Sequence, residues 1–99
     1  MNTFFVERLN IVHTLIDAGD YDTPINLIHN IKTRIHDQDL LKKLSEHDEY
    51  TEKEFLRYYN EVREINDPFV VYDIVMKLKL WRAREYLTYY DKMVKDVDL

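Results

Sequence analysis

The sequence predicts an all-α fold, a small helical bundle of four to five helices with a long C-terminal helix over residues 68–95. Three observations carry this expectation. The 99 residues include one Gly and two Pro, too few breakers for a β protein with its many turns. Apolar residues recur at helical spacing through every long segment. Met76, Leu80, Ala83, Leu87, Tyr90, Val94 and Val97 are spaced 4, 3, 4, 3, 4 and 3 apart, a heptad seam that another helix must cover.

The first helix is predicted from Phe4 to Ala18, with Asn2 or Thr3 offering a side-chain oxygen to its first free N–H groups. Phe5, Leu9, Val12 and Ile16 form its apolar stripe, widened by Phe4, Ile11 and Leu15. Gly19 stands where the helix needs a left-handed stop. Asp20 to Pro24 reads as a turn, with Thr23 as N-cap and Pro24 at the first helical position, where a missing N–H costs nothing. The second helix buries Ile28, Ile31 and Ile35, while its polar residues keep helical rather than alternating period. The turn Ala18-Gly19-Asp20-Tyr21 resembles the helix-turn-helix of one tetratricopeptide repeat. Pro24 and Ile25 stand where that repeat has a small residue, and no second copy follows, so the segment is read as a generic helical hairpin.

His36-Asp37-Gln38-Asp39 interrupts the stripe before Leu40, Leu41 and Leu44 resume it. A break is favoured over a bent continuation to Ser45, with Asp37 or Asp39 capping a new short helix, because Asp prefers caps to helix interiors. His47 to Tyr50 reads as a loop. Thr51-Glu52-Lys53-Glu54 has the spacing of a capping box and predicts a helix from Glu52 to Ile65 that buries Phe55, Tyr59 and Val62. Asp67 then caps the last helix, with Pro68 in its first turn. Met76 to Leu80 alternates apolar and polar residues as a strand would, but the heptad spacing runs on beyond it without a turn signal.

About 28 residues of helix would be about 42 Å long. A preceding helix of roughly half that length covers only its first half. The seam from Ala83 to Val97 must then be covered by the first two helices or by another chain. Early in this helix, Phe69, Val70, Val71, Ile74, Val75, Met76 and Leu78 make the surface apolar nearly all round, which predicts a central place in the bundle or a dimer contact.

Composition narrows the functional classes. Without cysteine there are no disulfides, thiolate metal sites or thiol nucleophiles, and a reducing compartment fits. The N-terminus has neither the basic lead nor the apolar run of a signal peptide, and no apolar stretch nears the roughly 20 residues a bilayer requires. A cytoplasmic protein without membrane contact is expected. The net charge of −5 disfavours a duplex-coating protein. Acids cluster from Asp37 to Glu49 and bases from Lys77 to Lys95, and the two segments are expected to lie near each other.

A single glycine precludes a Gly-rich phosphate loop, and no nucleophile elbow or triad is present, so no catalytic residue is assigned and an enzyme is not expected. His13, His29, His36 and His47 include no i, i+4 pair, and no metal or cofactor is expected. Tyrosine supplies rigid contact area with a polar tip, so Tyr58, Tyr86 and Tyr89 are candidates for binding a protein partner. Leu87, Tyr90 and Val94 are the expected contact of a homodimer or small homo-oligomer. Lys77, Trp81 and Arg84 share one helix face and form the alternative, a nucleotide or nucleic-acid site built on stacking and phosphate neutralisation. The abundance of Ile, Tyr, Asn and Asp, beside only Ala18 and Ala83 as alanines, suits AT-rich coding of the kind found in phages and mobile elements. Together these readings favour a small acidic intracellular regulator or inhibitor that docks a protein partner.

Overall fold

The computed structural model describes residues 3–95 and Val97. They form four helices, α1 (Thr3–Asp17), α2 (Asp22–Lys32), α3 (Gln38–Val62) and α4 (Pro68–Val94), with no strand among the described residues. The all-α bundle with a long C-terminal helix is the fold. Asn2, one of the two candidate caps of α1, lies outside the described residues.

The stop after α1 is local chemistry. Gly19 adopts φ +87°, the Gly19 N–H donates to the Ile16 carbonyl at 2.9 Å, and the Asp20 N–H donates to that of Leu15 at 2.9 Å. These are the two bonds that close a helix through a left-handed residue. The start of α2 differs from expectation. The Asp20 carboxylate, not Thr23, accepts from the N–H groups of Asp22 and Thr23, at 3.1 and 3.2 Å, so the helix begins two residues before Pro24. The break near His36 is present, and Asp37 caps α3 by accepting from Asp39 and Leu40. Asp67 does the same for α4 through Phe69 and Val70.

The largest correction concerns α3. His47 to Tyr50 is not a loop, and Thr51 caps nothing, because one helix of 25 residues runs through both. Leu40, Leu44, Asp48, Thr51 and Phe55 are its buried positions, at steps of 4, 4, 3 and 4. This unbroken helical period outweighs the polar character of residues 45–50. Asp48 holds its place on the buried stripe because its carboxylate is neutralised. It accepts from Lys32 Nζ of α2 at 3.1 Å and from the Tyr90 hydroxyl of α4 at 3.0 Å.

A longer α3 changes the packing. It runs antiparallel along α4, from His47 beside Tyr89 to Tyr58 beside Trp81. The α1–α2 hairpin lies against the other side of α4, over its C-terminal half. The core joins Phe5, Leu9, Val12 and Ile16 to Ile28, Ile31 and Ile35, to Leu40 and Leu44, and to the α4 seam from Ala83 to Val94. Val97, past the helix end, packs at its edge. The Tyr21 hydroxyl donates to Met76 Sδ at 3.3 Å, with Lys79 Nζ 5.1 Å from the Tyr21 ring centroid. This contact marks how far the α1–α2 layer reaches.

The molecule measures 49 × 27 × 17 Å, and the end of the α3–α4 hairpin, residues 56–75, projects past that layer. The early part of α4 is therefore not central. Phe69, Val70 and Tyr72 are exposed, together with Leu56 and Ile65. The acidic and basic segments lie side by side as expected, with His47 beside Tyr89 and Asp48 bonded to Tyr90, but most of their charges find partners elsewhere. Lys77 and Lys95 pair within α4, with Asp73 and Asp91, and Asp48 pairs with α2. Arg82 reaches Glu52 of α3 at 3.5 Å, beyond the acidic run.

Candidate functional site

Two surfaces stand out, and both belong to the α3–α4 hairpin. The first is a groove on the side away from α1 and α2. Tyr50, Glu54 and Tyr58 recur every four residues on α3, so they form one row along the helix. Leu78, Trp81 and Glu85 form the matching row on α4. Between them lies a cavity of about 520 Å³. Tyr58 meets Trp81 edge-on, with ring centroids 6.3 Å apart. Arg57 lies 4.8 Å over the Tyr58 ring and donates to Glu54 Oε2 at 2.8 Å. A second cleft of about 250 Å³ adjoins through the shared Glu85 and is lined by His47, Thr88, Tyr89 and Lys92. There His47 stacks flat on Tyr89, centroids 4.0 Å apart.

The structure sorts the expected site residues. It brings Tyr58 and Trp81 together, and it leaves Tyr89 half-buried at the neighbouring cleft. Tyr86 is not on a surface. It is buried, and its hydroxyl donates to Glu52 Oε1 at 2.8 Å. Burial and the neighbouring carboxylate raise its phenol well above the ordinary value of 10. Burial and Asp48 act on Tyr90 in the same direction. Leu87, Tyr90 and Val94, expected at an oligomer contact, are buried within the chain by its own helices.

Lys77 and Arg84 are exposed, and neither lines the groove around Trp81. Lys77 Nζ instead sits 3.2 Å from Asp73. The groove's own charges are the carboxylates of Glu54 and Glu85. Aromatic faces beside carboxylates attract cations and repel phosphates.

Tyr50, Glu54 and Glu85 were missed from sequence because residues 47–50 read as a loop and Glu54 as part of a cap. The every-fourth-residue row from Tyr50 to Tyr58 was the available signal, and it has meaning only once α3 is continuous.

The second surface is the hairpin tip. Phe69 is 86% exposed and Tyr72 68%. Their spacing of 3, then 4 to Met76, places both on the seam that is buried from Ala83 onward.

Among the described residues no group of three or more His, Asp or Glu side chains could hold a metal ion, and no helix is long and apolar enough to cross a membrane. In comparisons with known proteins, no family model, no curated protein and no solved structure matches the chain.

Proposed function

We propose that this chain is a small protein-binding regulator that works as a self-associated pair, joined through the tip of the α3–α4 hairpin. The carrying observation is that Phe69 and Tyr72 lie open to solvent on the same stripe that the chain buries elsewhere. Apolar surface of this kind is stabilised by removal from water, and a second copy is the occupant that best fits it.

Area supports a second copy. The Phe69 and Tyr72 rings expose on the order of 300 Å² together. With Leu56, Ile65 and Val70, each copy offers on the order of 500 Å², so two tips bury about 1,000 Å², the lower bound for a specific contact. Charge supports it too. From residue 56 to 77, Arg57, Arg63 and Lys77 stand against Glu61, Glu64, Asp67 and Asp73, leaving one net negative charge. Two such tips repel each other little, although the whole chain carries −5. Two helical hairpins meeting by twofold symmetry make a four-helix bundle, a stable arrangement for helices of this length. Pairing leaves the aromatic groove outward, free to dock a different protein. A cytoplasmic setting accords with the cysteine-free sequence.

The nucleotide alternative has less support, because Trp81 shares its groove with two carboxylates and with neither Lys77 nor Arg84.

Sedimentation velocity from about 1 µM to about 1 mM tests the self-association. The expected result is a mass that doubles with concentration, and a Phe69→Asp/Tyr72→Asp variant that stays monomeric with unchanged helicity. A wild-type monomer at every concentration, or a dimer indifferent to those two substitutions, overturns it.

A further inference from the structure

The groove between α3 and α4 has a more specific chemistry than a general docking surface. Three aromatic rings, Tyr50, Tyr58 and Trp81, and two carboxylates, Glu54 and Glu85, line one cavity together with Leu78. Tyr50 is 63% exposed, so its ring is available to a ligand. Among the described residues no ion pair engages Glu85, and no cation lies over Tyr50 or Trp81. Half of the groove is thus an aromatic and acidic surface without a cation.

The chain itself shows what such a surface takes. Arg57 lies over Tyr58 while donating to Glu54 at 2.8 Å. Arg82 lies 4.3 Å over Phe55 and 3.5 Å from Glu52. Twice, then, a guanidinium is held between an aromatic face and a glutamate. Guanidinium suits this pairing because it is planar, is weakly hydrated and donates in a fixed fork, so it can stack and bond a carboxylate at once. Trp81, Tyr50 and Glu85 present the same combination with no guanidinium supplied.

We infer that this groove binds an arginine side chain presented by a basic segment of a protein partner, stacked on Trp81 and Tyr50 and hydrogen-bonded to Glu85. The inference rests on the reading of the chain as a protein-binding module and names the chemistry of its partner. The residues that hold the arginine, Tyr50, Trp81 and Glu85, lie outside the tip, so the inference is tested separately from self-association.

Trp81 is the sole tryptophan, so its fluorescence reports on the groove alone. The probe is an acetylated and amidated tetrapeptide carrying two arginines, titrated into dilute protein. The expected result is a saturable change in Trp81 emission. The affinity should weaken several-fold between about 50 mM and about 300 mM salt. It should weaken about tenfold in Glu85→Gln, which is nearly isosteric and should keep wild-type helicity. Tyr50→Ala, at an exposed ring, should weaken it as well, and the lysine version of the peptide should bind less well than the arginine version. Absence of a saturable response up to about 10 mM peptide overturns the inference. So does an equal response in Glu85→Gln, or a response to adenosine triphosphate in place of the peptide.

Discussion

The two halves of α4 carry the same kind of residue on the same stripe and meet different fates. From Ala83 to Val94 the seam is sealed by α1 and α2 together with the first half of α3. From Phe69 to Tyr72 it faces water. The pattern of apolar residues sets which face of a helix wants cover, and the length of the neighbouring elements sets how much of it receives cover. Here α2 has 11 residues and α1 has 15, against 27 in α4, so part of the stripe outruns the layer that covers the rest.

Paired truncations give the largest expected contrast. Leu87→Ala in the covered half should cost about 3 kcal/mol of unfolding free energy, from lost burial and a residual cavity. Phe69→Ala in the bare half should cost the monomer less than about 0.5 kcal/mol. Urea denaturation at a concentration below the onset of pairing measures both. Equal costs would mean that the tip is covered within one chain.

The covered half should also be the alkali-sensitive half. Tyr86 and Tyr90 are held protonated in the fold by burial and by Glu52 and Asp48, with both phenols raised from the ordinary value of 10. Below pH 10 each is neutral whether the chain is folded or unfolded, so neither makes stability depend on pH. Above pH 10 the unfolded chain loses these protons and the folded chain keeps them. Stability then falls by up to about 1.4 kcal/mol per pH unit for each tyrosine. Unfolding free energy measured at about pH 11 should be lower than at about pH 9. A Tyr86→Phe/Tyr90→Phe variant should show a flatter profile over the same range.

The smallest effect concerns the layer rather than the seam. Gly19→Ala meets no atom within 4 Å, so its cost is the left-handed backbone alone, about 1 kcal/mol. Thermal melting should register it as a shift of a few degrees.

What the sequence made legible follows from the range of the interactions involved. The α1 stripe, the Gly19 stop and the Asp67 cap are decided within a few residues, and they read correctly, while Asp37 was one of two candidate caps for α3. The continuity of α3 depends on Asp48, whose partners lie 16 residues before it and 42 after it. A carboxylate that far from its counter-charge looks like a loop residue in a linear reading. The groove inherits the same difficulty, since Tyr50, Glu54 and Tyr58 form a row only on an unbroken helix. Tyr58 and Trp81 were legible as aromatic candidates, but the charged residues that share their groove are Glu54 and Glu85 rather than Lys77 and Arg84. The exposed face of early α4 was legible as apolar. Its place at the tip was not, because it depends on how far α1 and α2 extend.

The meeting of Asp48, Lys32 and Tyr90 has one more consequence. Two long helices with repeating apolar seams can slide past one another by a heptad and still bury hydrophobic surface. A slip of seven residues would set Asp48 against Ala83 or Val97, neither of which offers a phenolic donor, in place of Tyr90. Leaving a buried carboxylate without its partners costs several kcal/mol, about 3 to 5 where such pairs are broken. The interaction therefore acts as an index mark, admitting a single alignment of α3 on α4 and so keeping Tyr58 opposite Trp81.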